Sequence, residues 1–87
     1  MNVILSNRGW REYSWWMMNA DRKSLKRLLQ VIDDIRRSPF YGIGKPEPLR
    51  GNLSGWWSRR IDDSNRVVYR VNNGAIEISQ CRGHYGE

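Results

Sequence analysis

Reactive side chains are scarce in this 87-residue chain, and their placement narrows the chemistry. Glu47 sits in Lys45-Pro46-Glu47-Pro48, where a proline on each side fixes the backbone and aims the carboxylate. Arg59 and Arg60 close a strand-like run, and Arg66 opens the next one across a short turn. His84 is the only histidine, and Tyr85 follows it. A sheet surface carrying several cations, one carboxylate, one imidazole and one phenol suits RNA cleavage. RNA brings its own nucleophile, the 2′-OH. The protein must supply a base for that proton, an acid for the 5′-oxygen leaving group, and cations for the charge that builds on the phosphate. Glu47 fits the base, and His84 fits the acid because an imidazole changes charge near neutral pH. Arg66 fits the phosphate grip through its fixed donor fork. Tyr85 can donate a hydrogen bond or stack on a base. With arginines carrying the phosphate charge, no metal and no other cofactor is required. Each residue also has a plainer reading: Glu47 pairs with Lys45 or Arg50 on the surface, Arg66 balances Asp62 or Asp63, and His84 frays near the terminus.

Composition bounds the frame that must hold these groups. At 10.3 kDa the chain is one small domain, residues 1–87, with modest burial and no room for a separate cofactor domain. Fifteen Lys and Arg against nine Asp and Glu give +6, and five tryptophans and four tyrosines add stacking surface. A basic, aromatic-rich domain suits an anionic polymer such as nucleic acid, and a solvated basic surface is the competing reading. Cys81 is the only cysteine, which excludes an intramolecular disulfide and a Cys-rich zinc site. A Ser-His-Asp triad is possible only around His84. Metal binding is poorly served by one histidine and the acidic pairs Asp33-Asp34 and Asp62-Asp63. Arg82 beside Cys81 favours a thiolate, but an inert cysteine buried in a strand is the stronger reading. The longest apolar run, Trp15-Trp16-Met17-Met18, is far short of a membrane span, and no signal peptide is visible. A cytoplasmic protein is expected.

The elements follow from periodicity. Val3-Ile4-Leu5 reads as a buried strand, ended by Ser6-Asn7. A helix is expected from about Gly9 to Met18, with Trp10, Tyr13 and Met17 as its core stripe, widened by Trp15 and Trp16. Leu25, Leu28, Leu29, Ile32 and Ile35 mark one buried face of a second helix, capped by Asn19 or Asp21 and stopped by Ser38-Pro39. Arg22, Lys23, Lys26 and Arg27 form a solvated face there, or a surface for RNA backbone. Residues 39–55 hold all three prolines and a cluster of glycines, and read as an ordered loop pinned by Leu49 and Leu53. Strands are expected over Trp56–Ile61, Arg66–Val71 and Ala75–Arg82, the last two joined by an Asn73-Gly74 hairpin turn. That turn pairs Asn72 with Ala75, Val71 with Ile76, Tyr69 with Ile78, and Arg70 with Glu77 as a surface ion pair. The order is β-α-α-loop-β-β-β: an α+β fold with two N-terminal helices on one face of a mostly antiparallel sheet. Strict alternation puts Arg66 and Tyr85 on one face and His84 on the other. A bulge or turn at Gly83 would bring His84 round.

The strings Lys45-Pro46-Glu47-Pro48-Leu49, Asn52 to Ile61, Arg66-Val67-Val68-Tyr69 and Cys81-Arg82-Gly83-His84-Tyr85 together resemble the YoeB toxins of the RelE/ParE toxin–antitoxin superfamily. The likeness covers nearly the whole chain, including the Trp-rich first helix and Arg36-Arg37-Ser38-Pro39-Phe40. It implies a microbial-RNase-like fold and a ribosome-dependent endoribonuclease that cuts mRNA in the ribosomal A site and arrests translation. It also implies a homodimer and a YefM-type antitoxin. The resemblance puts the catalytic glutamate at Glu47, the arginine at Arg66 and the terminal His-Tyr at His84 and Tyr85, with RNA-binding cations at Lys45, Arg50, Arg59 and Arg60. Gly83 and the Gly86-Glu87 extension depart from the family pattern. Two other classes stay open on sequence alone: a ParE-like inhibitor that binds DNA gyrase without catalysis, and a plain nucleic-acid-binding module. The second lacks a helix-turn-helix or RNA-recognition motif.

Overall fold

In the computed structural model, residues 1–84 are described. The chain runs β1 (Asn2–Leu5), α1 (Asn7–Asn19), α2 (Arg22–Arg37), β2 (Glu47–Pro48), a 3-10 turn (Gly51–Leu53), β3 (Trp57–Arg60), β4 (Arg66–Asn72) and β5 (Ala75–Gln80). The strands form one sheet in the order β1-β5-β4-β3-β2. Only the β1–β5 pairing is parallel; the other three are antiparallel. Among the described residues, no helix is long and apolar enough to cross a membrane.

Both helices start on side-chain caps. Ser6 Oγ accepts from Gly9 N at 3.0 Å, and Asp21 accepts from Ser24 N at 2.7 Å. Leu28, Val31, Ile32 and Ile35 of α2 pack with Trp16 of α1 and with Val67, Tyr69, Ile76 and Ile78 of the sheet. The α1 stripe expected through Trp10 and Met17 is corrected: both are exposed, and Trp16 is buried. Gly9 is the cause. Helix α1 presses so closely on β5 there that a Cβ would lie 2.7 Å from the Ile78 carbonyl oxygen. The inward line therefore passes through Gly9, Tyr13 and Trp16. On α2, Leu29 likewise faces out and Val31 takes the inner place.

The hairpin register is the one the Asn73-Gly74 turn dictates, from Asn72↔Ala75 to Tyr69↔Ile78, with Arg70 Nε donating to Glu77 Oε1 at 2.6 Å. Beyond Tyr69 the register slips: Val68 pairs with Gln80, so Ser79 is the extra residue of a β-bulge. After the bulge, Gln80 shares the face of Val68 and Arg66, while Cys81 turns into the core. The segment 39–55 is less irregular than expected. Leu49 is buried, and Glu47–Pro48 joins the sheet as its edge strand.

Candidate active site

Pairing places the candidate residues on the sheet face away from the helices. Trp57 and Arg59 of β3 lie opposite Tyr69 and Val67, on the helix-covered side. Their neighbours Ser58 and Arg60 therefore point the other way, opposite Val68 and Arg66. Glu47 pairs with Ser58 and shares that face. A cleft of about 380 Å³ opens there, lined by Lys45, Pro46, Glu47, Ser58, Arg60, Arg66 and His84.

The 38–46 segment holds Glu47 in place. Gly44 has φ 79°, and its carbonyl accepts from Arg60 N at 2.6 Å. A Cβ at Gly44 would come within 2.7 Å of the Arg60 carbonyl oxygen, so the loop reaches β3 only through a bare backbone. Lys45 follows at φ 53°, an uncommon conformation for a side-chain-bearing residue. Among the described residues, no ion pair or hydrogen bond engages the Glu47 carboxylate, and neither Lys45 nor Arg50 pairs with it.

Arg66 is 9% exposed. Its Nη1 donates to the carbonyl oxygens of Asp62 (2.8 Å) and Asn65 (3.2 Å), and not to the Asp62 carboxylate. That carboxylate is spent on Ser64 N and the Asn65 side chain. The other guanidinium nitrogens of Arg66 have no acceptor among the described residues. Arg60 stands directly opposite Arg66. Like charges facing across strands are unfavourable unless something anionic lies between them. With Lys45 added, the cleft holds three cations around one carboxylate, a field suited to a phosphodiester.

His84 reaches this face through the bulge at Ser79 and a turn at Gly83, which has φ 78°. Gly83 N donates to Asn65 Oδ1 at 2.8 Å, and Arg66 N donates to Gly83 O at 3.0 Å. Gln80 Nε2 donates to the His84 carbonyl at 3.3 Å. The expected turn at Gly83 is thus present, assisted by an offset five residues into β5 that sequence alternation did not show. Tyr85 and the Gly86-Glu87 extension lie outside the described residues.

Of the cations assigned to RNA binding, Lys45 and Arg60 line the cleft, and Arg50 is exposed outside its lining. Arg59 is a correction. It is fully buried on the opposite face, between the sheet and the exit of α2. Its guanidinium donates to the Asp34 carboxylate, to Tyr69 Oη at 3.1 Å, and to the carbonyls of Ser38, Tyr41 (3.0 Å) and Ile43 (3.2 Å). Tyr69 Oη in turn donates to the Pro39 carbonyl at 2.6 Å. The N–H of Ile43 and the Arg59 guanidinium hold the Asp34 carboxyl below the usual carboxylate range. Arg59 thereby organises the loop that carries Lys45 and Glu47. Sequence reasoning gave no role to Ser58, which lies in the cleft opposite Glu47; strand alternation next to Arg60 was the available signal. Burial pushes the Cys81 thiol up to about 12. Among the described residues, no three His, Cys, Asp or Glu side chains gather to hold a metal ion.

Comparison with known proteins follows the same outline. A family model described as YoeB-like toxin of bacterial type II toxin-antitoxin system matches residues 5–85. A Streptomyces coelicolor protein, Toxin YoeB, is 49% identical over 85 residues, covering 98% of this chain and 100% of that protein. The solved YoeB/ParE toxin from Agrobacterium tumefaciens superposes with TM-score 0.91 at 39% identity, covering 98% of this chain and 100% of that one. The toxin in a heterotetrameric YoeB–YefM complex from Staphylococcus aureus superposes with TM-score 0.86 at 37% identity, over 98% of each chain.

Proposed function

The chain belongs to the YoeB-like toxins of bacterial type II toxin–antitoxin systems, and from that membership we propose that it is a ribosome-dependent endoribonuclease cutting mRNA in the A site. The observation that carries this reading is the single cleft shared by Glu47, Arg66 and His84, with Lys45 and Arg60 at its walls. In this mechanism Glu47 takes the proton of the 2′-OH, and the resulting oxyanion attacks the adjacent phosphorus. Arg66 and Arg60 share the charge on the non-bridging oxygens. His84, in its protonated form, gives its proton to the departing 5′-oxygen. The bond from phosphorus to the 5′-oxygen breaks as the bond to the 2′-oxygen forms, leaving a 2′,3′-cyclic phosphate and a 5′-hydroxyl. Tyr85 positions the nucleotide. The free charge of the cleft favours the extra negative charge of the transition state.

A YefM-type antitoxin and a second copy of this chain are the proposed partners, by analogy with the Staphylococcus aureus YoeB–YefM complex and YoeB dimer. The test is toeprinting on translating ribosomes. The wild-type chain should produce a new A-site stop, and Glu47→Ala or His84→Ala should weaken it by about 10²–10⁴-fold, the range of general acid–base groups. Equal cleavage by both variants, folded by circular dichroism, would remove the proposed site. Growth arrest that begins with DNA damage and intact translation would point instead to a gyrase-binding inhibitor.

A further inference from the structure

His84 lies beyond the last ladder pairing of β5 and is exposed, so the sheet alone does not fix it. A general acid working from such a segment needs its backbone ordered, because every loosely held residue must otherwise be fixed, at a cost in conformational entropy, at the moment of reaction. The approach to His84 is held from α1. Glu12 Oε1 accepts two consecutive backbone N–H groups, Cys81 at 2.8 Å and Arg82 at 3.2 Å. Trp16 Nε1 donates to the Cys81 carbonyl at 2.8 Å. Trp15 lies under the Arg82 guanidinium, 3.6 Å from ring centroid to the central carbon. Arg8, one turn earlier, pairs with the other Glu12 oxygen at 3.0 Å and leaves Oε1 to the backbone.

These contacts come from one helix face, and they meet the chain where strand pairing has stopped. A carboxylate accepting two adjacent N–H groups makes charge-assisted bonds that fix the direction of the following residues. Gly83 then turns: its N–H donates to Asn65 Oδ1, its carbonyl accepts from Arg66 N, and Gln80 Nε2 donates to the His84 carbonyl. We propose that Glu12 is a positioning residue for the general acid: it locks the Cys81–Arg82 backbone to α1 so that His84 is delivered over Glu47 and Arg66. This rests on the cleavage reading above, and it extends the working site to a helix on the opposite face of the sheet.

The test combines single-turnover cleavage on ribosomes, ribosome-binding affinity, and the backbone heteronuclear NOE of His84. Glu12→Ala should slow cleavage on the order of a hundredfold, leave affinity within about twofold, and lower the His84 NOE. Glu12→Gln keeps an oxygen that accepts both N–H groups, and should recover most of the rate. Ile32→Val, a one-methyl cut in the α2 packing, measures the effect of lost stability alone and should cleave normally. Wild-type cleavage by Glu12→Ala alongside a silent His84→Ala would overturn the proposal. So would an unchanged NOE, or a Glu12→Gln variant as slow as Glu12→Ala. A wild-type chain that leaves message intact fails the cleavage reading instead, and the His84 NOE of Glu12→Ala then decides whether Glu12 holds this segment.

Discussion

Two arginines of one hairpin are used in opposite ways. Arg59 spends its donors on carbonyls, a carboxylate and a phenol inside the protein, whereas Arg66 spends one nitrogen on the backbone and presents the rest to the cleft. The difference lies in which face each Cα occupies, and strand alternation sets that. Arg59→Ala would strand Asp34 and three main-chain carbonyls together. Removing one partner of a buried pair costs about 3–5 kcal/mol, so urea denaturation should show a loss of that size. Arg66→Ala loses only two bonds to the Asp62–Asn65 turn, so it should lower the midpoint less than Arg59→Ala and abolish the toeprint. Cys81 offers a second check at this scale. Its thiol, pushed up to about 12 and fully buried, should ignore a thiol-specific disulfide reagent in the native protein and react once the chain unfolds in denaturant. That Glu47, Arg66 and His84 share one cleft could be anticipated because few other residues can do acid–base or phosphate chemistry here. The fate of Arg59 could not, since a charge beside a charge gives no hint of a buried acceptor nest contributed by a loop.

The loop between α2 and β3 decides where the proposed base stands. Its first residues are wound around Arg59, Gly44 then touches β3, and Glu47–Pro48 follow as β2 ahead of the 3-10 turn. Gly44→Ala sets a methyl against the Arg60 carbonyl and forces a side chain into a positive φ. A cost of about 1–3 kcal/mol is expected, read as a lower melting temperature, together with slower cleavage as Glu47 shifts. The hairpin register was legible from Asn73-Gly74 because a two-residue turn leaves the strands no choice of partner. The Ser79 bulge was not legible, because alternation of side chains carries no mark of where a ladder skips a residue. The α1 face was misread for a related reason: Gly9 looks like a weak helix residue, but it marks the closest approach of the helix to β5.

For the molecule as a whole, the balance of charge governs both solution behaviour and folding. With a net charge of +6, the proposed RNA binding should weaken steeply with added salt, whatever the cleavage mechanism. Acid acts through Asp34 together with Asp21 and Glu77, whose carboxyls are also held below the usual range by hydrogen bonds from Ser24 and Arg70. The Asp34 carboxyl is held below the usual range in the folded state, so it contributes stability above about pH 4. That contribution fades as pH falls through the lowered folded value. Denaturant titrations between pH 7 and 2 should show this decline in the wild-type protein. Asp34→Asn should be weaker at pH 7 and flatter across the acid range.

The sheet order also dictates when this protein can become itself. The first strand to be synthesised, β1, finds its partner only in β5, with Ser6 reaching across to the Ser79 carbonyl at 3.0 Å. A nascent chain must therefore carry Val3, Ile4 and Leu5 unpaired while both helices and four further strands are translated, and topologies closed by such distant segments assemble late. Glu12 waits for Cys81 in the same way. A half-made copy lacks Cys81 and His84, so the proposed cleavage cannot begin before synthesis of this sheet is complete.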